Sequence, residues 1–278
     1  MGEWQPLYER HAIVMMAAVA SFSGALTDIG LRRVLKASAE VASKAGLSAS
    51  SPIFSLEINP ASPALQAGKP AGHVYNSVED APVVPGLQID FTRQLLVDPS
   101  SVIFRTSRYR SWAEEKAEIG RIFAPLLEIT SSIVGLSAIR LEYLDRFVFQ
   151  GDAGDAKVGD LLLSESGLIS PHVFGRTGPW HANTGYLVPA EGKALASVVQ
   201  LNVECVNIRS TPIGSEQVAV NVMSAQEDRN PKFGVAEDAY DAHFVLERFE
   251  EMHTRLKDLL AHVITSDMQR RIGMKLDG

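Results

Sequence analysis

The chain has 278 residues, with 33 acidic against 26 basic side chains, a formal net charge of −7, 46% hydrophobic residues and 21% charged ones. That balance excludes wholesale disorder, the lack of an 18-residue apolar run excludes a membrane-spanning helix, and the acidic excess excludes a molecule-wide basic footprint for nucleic acid. Cys205 is the one cysteine, so an internal disulfide and a cysteine-based zinc cluster are both excluded, and the fold rests on its apolar core.

The first apolar run, AIVMMAAVA from Ala12 to Ala20, ends in small residues that suit a secretory cleavage site. Glu3 and Glu9 offset Arg10, however, and a signal needs a positive flank. The run therefore reads as a strand over 12–22 buried on both faces, and the expected location is cytoplasmic. Thr27 or Asp28 caps a helix, Leu31, Val34, Leu35, Ser38 and Val41 recur at helical spacing, and Gly46 supplies its left-handed end. Ile53–Ile58 is short and β-like. Residues 59–86 carry five prolines and three glycines and read as a long loop with one brief strand at Val74–Val78.

Beyond that loop the alternation sharpens. Leu87, Ile89 and Phe91 predict a half-buried strand, Asp98–Ser101 a turn, and Val102–Arg108 the returning arm. Ser111 caps the next helix, with Glu114 placed for a capping box. Its stripe runs from Trp112 through Ile122 and Leu126 to Thr130, with Pro125 set to kink it. Ser137–Phe149 predicts a strand with Ile139, Leu141 and Tyr143 on one face and Arg140 and Glu142 on the other. Residues 150–196 are glycine-rich, with short strands expected at Asp160–Leu163, Ile169–Phe174 and Thr184–Val188. Val199–Cys205 alternates cleanly, Thr211–Gly214 turns, Val218–Val222 returns, and Glu237–Ile264 is the longest helix.

Two blocks, Leu87–Val134 and Val198–Thr265, share the order strand, turn, strand, helix. The expected architecture is α+β: an antiparallel β-sheet in two hairpin-plus-helix halves packed with three main helices. It is read as one compact unit over 1–278, with possible halves 1–149 and 150–278.

Dinucleotide, Walker, zincin, nucleophile-elbow and paired-cysteine motifs are all missing. His253 and His262 lie on opposite helix faces, and His243 is about 15 Å from His253, so the last helix cannot chelate a metal. A loop site from His172 and His181 with Asp152 or Asp155 is the one metal arrangement to weigh, and the solvated reading is preferred, so no metal and no cofactor is implied. Asp152, Asp155 and Asp160 lack the closing glutamate of a calcium loop. Cys205 falls on a buried strand phase and is an unsuitable nucleophile. Arg105, Arg108 and Arg110, interleaved with Tyr109 and Trp112 before a helix N-terminus, are suited to a phosphate or carboxylate. The plainer reading pairs these arginines with Glu114, Glu115 and Glu118.

Three stretches carry a resemblance: the strand opening His11-Ala12-Ile13 and ending in Phe22, the strand Ile139-Arg140-Leu141-Glu142-Tyr143-Leu144-Asp145-Arg146, and the late helix from Phe249 through His253 to Ile264-Thr265-Ser266-Asp267. Together they resemble a sporadically distributed family of uncharacterised bacterial and archaeal proteins of similar length. The family pattern has Asn where Asp145 stands and an aromatic residue where Val263 stands. The resemblance implies a fold and no activity, and it marks Arg140, Tyr143, Asp145 and Arg146 for attention. The functional expectation is a non-catalytic binding or accessory protein that engages a partner protein, another copy of itself or a small ligand through 59–86 and 150–196. The alternatives are an enzyme on an anionic substrate, with the three arginines as clamp and His172 or His181 as base, and a nucleic-acid or defence-system component. No membrane partner is expected.

Overall fold

The computed structural model describes residues 2–57, 66–188, 196–209, 216–229 and 242–274. In chain order the strands and helices are β1 (Glu3–Pro6), β2 (Ile13–Phe22), α1 (Asp28–Lys44), β3 (Ala49–Glu57), β4 (Gln66–Asn76), β5 (Arg93–Val97), β6 (Ser101–Thr106), α2 (Trp112–Ser131), β7 (Leu136–Gln150), β8 (Trp180–Val188), β9 (Ala196–Arg209), β10 (Glu216–Arg229), α3 (Ala242–Ala261) and α4 (Ser266–Arg271). All ten strands join one antiparallel sheet, in the order β3-β4-β5-β6-β2-β7-β10-β9-β8. β1 lies end to end with β2 along the same edge of β7, pairing Trp4 with Phe149 while β2 pairs Met16 with Tyr143. The mixture of one large antiparallel sheet with helices is the expected α+β class.

The helix starts follow their side chains. Thr27 Oγ1 accepts from the Gly30 N–H, Ser111 Oγ from Glu114 N–H, and Thr265 Oγ1 from Met268 N–H, each satisfying an otherwise unpaired amide. Pro125 sits within α2, which runs on through it to Ser131. The three long helices lie side by side, α1 against α2 and α2 against α3. Their apolar stripes bury Val34, Ile122, Phe123, Phe249 and Met252 together with Met16, Phe104, Leu141 and Val220 of the sheet. Phe123 and Phe249 meet edge to face at 5.8 Å between centroids and tie α2 to α3.

Three expectations need correction. The segment read as a loop over 59–86 carries an eleven-residue strand: β4 runs from Gln66 to Asn76 and pairs with β3 and β5, while 58–65 lies outside the described residues. Leu87, Ile89 and Phe91 do alternate with more exposed neighbours, but they form a strap rather than a ladder strand, and the paired strand is Arg93–Val97. The strands expected at Asp160–Leu163 and Ile169–Phe174 are single turns of tight helix, Val158–Asp160 and Pro171–Gly175, with one isolated bridge from Leu162 to Ile264. Short apolar runs next to glycines satisfy a turn as readily as a strand, because the ladder partner is not encoded locally. The Thr211–Gly214 turn and residues 237–241 of the expected last helix lie outside the described residues.

Candidate functional site

Antiparallel pairing decides what stands beside what. Because β2 lies between β6 and β7, the turn that enters β2 (Leu7–Ala12) stands beside the turn that leaves β6 (Ser107–Ser111). The first turn is held at both ends by one residue: Leu7 N–H donates to the Arg146 carbonyl at 3.0 Å, and Arg146 N–H donates to the Ala12 carbonyl at 2.8 Å. The second is held by Ser107, whose N–H donates to the Thr92 carbonyl at 2.9 Å and whose hydroxyl donates to the Phe91 carbonyl at 2.5 Å. Between the turns is a cavity of about 580 Å³ walled by Tyr8, His11, Pro82, Arg108, Tyr109 and Arg110, among others. That volume is within the range of small-molecule pockets.

Two polar atoms on this wall are buried without a hydrogen-bond partner, the Tyr8 hydroxyl and His11 Nδ1. A row of rings leads from them into the protein: Tyr8 to His11 at 5.1 Å, His11 to Tyr109 at 5.6 Å, Tyr109 to Tyr143 at 6.0 Å, and Tyr143 to His253 at 5.9 Å. His253, on α3, then stacks on Trp112 of α2 at 4.4 Å and 10°. The Tyr143 hydroxyl is 2.9 Å from His253 Nδ1. Glu250 closes the row at the surface by accepting from Trp112 Nε1 at 2.8 Å and Lys116 Nζ at 2.6 Å.

Burial sets the charges around this row. It raises the Asp145 carboxyl from its ordinary range to about 7. Glu115 is likewise raised to about 7 by burial and by the neighbouring Glu118 and Glu114, against the Arg110 backbone N–H that bonds to it. Tyr109 is pushed upward by burial and by these same two carboxyls. His253 is drawn down to about 4 by burial, with Glu250 opposing and Lys257 adding. His11 is lowered by burial, and nearby backbone of Tyr109 and Ile13 favours its charged ring in part without completing a hydrogen bond at Nδ1. At neutral pH Tyr8, His11 and Tyr109 on the cavity wall are therefore uncharged groups that both donate and accept, and Arg108 and Arg110 line the same cavity.

The expected arginine clamp does not assemble as a unit. Arg108 and Arg110 do share the cavity wall, but Arg108 pairs with Glu79 at 2.5 Å and Arg110 with Glu114 at 3.7 Å. Arg105 lies elsewhere: its guanidinium donates to Gln94 Oε1 and sits 5.1 Å over the Phe91 ring. A second, smaller cavity of about 290 Å³ beside the first is zipped by ion pairs, with Glu118 bound by Arg93 and Arg121. Pairing with Glu114, anticipated for these arginines, is thus seen at Arg110.

His172 and His181 are both exposed and away from this cavity, so neither can serve it as a base. His172 bonds to Ser170 at 2.8 Å, and His181 lies on the sheet-edge strand β8. Among the described residues no three His, Cys, Asp or Glu side chains gather to hold a metal. Of the residues marked on the Ile139–Arg146 strand, Arg140 is engaged with Glu142, Gln200 and Glu227. Tyr143, Asp145 and Arg146 are buried. Tyr143 joins the ring row, and Arg146 is fully buried with all three guanidinium nitrogens lacking a hydrogen-bond partner. Burial of Cys205 raises its thiol to about 11, which leaves it protonated and inert.

Tyr8 and His11 were missed by motif reasoning. Each stands alone in a short polar turn, and only the register of β2 brings them to the cavity.

No protein-family model and no curated protein matches the chain. No helix among the described residues is long and apolar enough to cross a membrane.

Proposed function

We propose that the protein is a recognition protein that binds a small, planar, anionic molecule in the cavity between the Leu7–Ala12 and Ser107–Ser111 turns. The observation that carries this reading is the pair of buried, partnerless polar atoms, Tyr8 Oη and His11 Nδ1, on the wall of a ligand-sized cavity. Leaving such a group unmade costs about 1–3 kcal/mol, and a ligand that bonds to both recovers it. The aromatic wall suits a planar ring, and Arg108 and Arg110 suit an acidic group that competes with Glu79 and Glu114 for them. Of the two segments expected to recognise a partner, the 59–86 segment reaches the cavity through Pro82. We read the sheet as two hairpin-plus-helix halves that meet where β2 pairs with β7, with the boundary between α2 and β7 instead of near residue 149. On that reading the site forms where the halves meet.

A melting-temperature screen with aromatic carboxylates and nucleoside monophosphates tests the proposal. At least one compound is expected to raise the melting temperature of the wild type and to leave a Tyr8→Phe/His11→Leu double variant unmoved. Equal responses in the two proteins, including none in either, would contradict it. A second reading, an enzyme on the same anionic substrate, is favoured by the two carboxyls held near 7 whose charge bears on Tyr109, since such values suit proton transfer. A bound compound that is chemically altered by the wild type and left intact by Asp145→Asn would support that second reading.

A further inference from the structure

The side chain of Arg146 is 0% exposed, and Nε, Nη1 and Nη2 all lack a hydrogen-bond partner. A guanidinium stays charged and offers five donors in a planar fork, so burying it unanswered is among the costliest arrangements a protein can hold. It points to the sheet face opposite the helices, one residue out of phase with Tyr143 and Asp145. On the neighbouring strand Asn221 stands directly across from it, and Asn221 Nδ2 donates to Glu204 Oε1 at 2.7 Å. That bond fixes the amide and leaves Asn221 Oδ1 buried and partnerless as well. Glu204 bears on Arg146 through its charge alone, with no hydrogen bond between them.

The strap closes over this pair. Leu87 N–H donates to the Val84 carbonyl at 3.0 Å, and Gly86 takes φ +74° at the tip of that turn. A Cβ at Gly86 would lie 3.4 Å from Arg146 Nη2 and 2.7 Å from Ile208 Cγ2, so the strap's backbone seals the guanidinium from solvent. The same strap places Pro82 on the cavity wall, and the backbone of Arg146 anchors the turn carrying Tyr8 and His11.

We propose that Arg146 is an anion-binding site lidded by the Pro82–Leu87 strap, and that it receives an oxyanion group, a carboxylate or a phosphate, when the strap lifts. This rests on the cavity reading in that the group is taken to be the acidic end of the cavity's ligand. Arg146 itself is testable without that ligand.

The probes are inorganic phosphate and acetate, each titrated at constant ionic strength against the wild type, Arg146→Met and Arg146→Lys. The readouts are melting temperature and hydrogen exchange of the amides in 82–90. The expected result is that one of the two anions stabilises the wild type and slows exchange in the strap. Arg146→Lys, which retains charge and loses the fork, binds about tenfold more weakly, as the loss of one charge-assisted hydrogen bond implies. Arg146→Met loses the response while folding at least as stably as the wild type, because it removes an unpaired buried charge. No response to either anion in the wild type overturns the proposal. So does a response in Arg146→Met equal to that of the wild type, which leaves the cavity reading standing. If Arg146→Met does not fold, the lysine variant decides: binding as tight as wild type overturns the proposal.

Discussion

Asp145, on β7, and His253, on α3, respond to pH in opposite senses. Asp145 has its folded value near 7, above its ordinary 3.8, so the folded protein keeps a proton that the unfolded chain releases. The stability this contributes is complete below about pH 4 and is lost as pH rises through 7. His253 has its folded value near 4, below its ordinary 6.5, so its share is complete above about pH 6.5 and is lost as pH falls through 4. Asp145→Asn is therefore expected to be more stable than the wild type at pH 8, by about 4 kcal/mol, and to converge with it towards pH 4. His253→Gln is expected to differ in the opposite direction, gaining on the wild type as the solution is acidified from 6.5 to 4. Urea melts at four or five pH values check both. Parallel curves for wild type and Asp145→Asn would mean that the carboxyl is not buried as described. At this scale the sequence said least. Tyr143 is in phase with Ile139 and Leu141, but the strand alone does not say what covers it: His253 of α3, 110 residues further along the chain, meets its hydroxyl.

Elements were more legible, for a physical reason. β2, α1, α2, β7, β9 and β10 carry long, regular apolar patterns that dictate both their type and the face they bury, and the caps at Thr27 and Ser111 announce two of the helix starts. β4 was hidden because Pro70 and Gly72 interrupt it. Both fall where the β3–β4 register is irregular, and there a ladder tolerates them. The strap was taken for a strand because alternation records half-burial and does not say whether a neighbour supplies a ladder. The α2–α3 contact gives an element-scale test. Phe249 is fully buried and meets Phe123 edge to face, so Phe249→Ala is expected to cost about 3–5 kcal/mol in urea unfolding. It should also weaken the His253–Trp112 stack one helical turn away, seen as a change in tryptophan fluorescence. A loss below about 1 kcal/mol would show that α2 and α3 do not share a core here.

Taken whole, the long helices pack on one face of the sheet and, among the described residues, the strap lies on the other, and the two candidate sites belong to this division. The ring row runs beneath the helices to Trp112, while Arg146 lies on the opposite face under the strap. The single sheet ties them through neighbouring residues of β7, so a ligand that spans cavity and strap would be felt on both faces. Composition and periodicity indicated the α+β class but could not indicate this juxtaposition, which depends on register between strands about 70 to 130 residues apart. Native mass spectrometry of the gently purified protein measures directly whether the cavity holds a small molecule. The expected result is a population of wild-type protein heavier by one small organic anion, released on denaturation, and absent from the Tyr8→Phe/His11→Leu variant. A wild type that flies at its bare chain mass, both as purified and after incubation with the compounds of the screen, would contradict it.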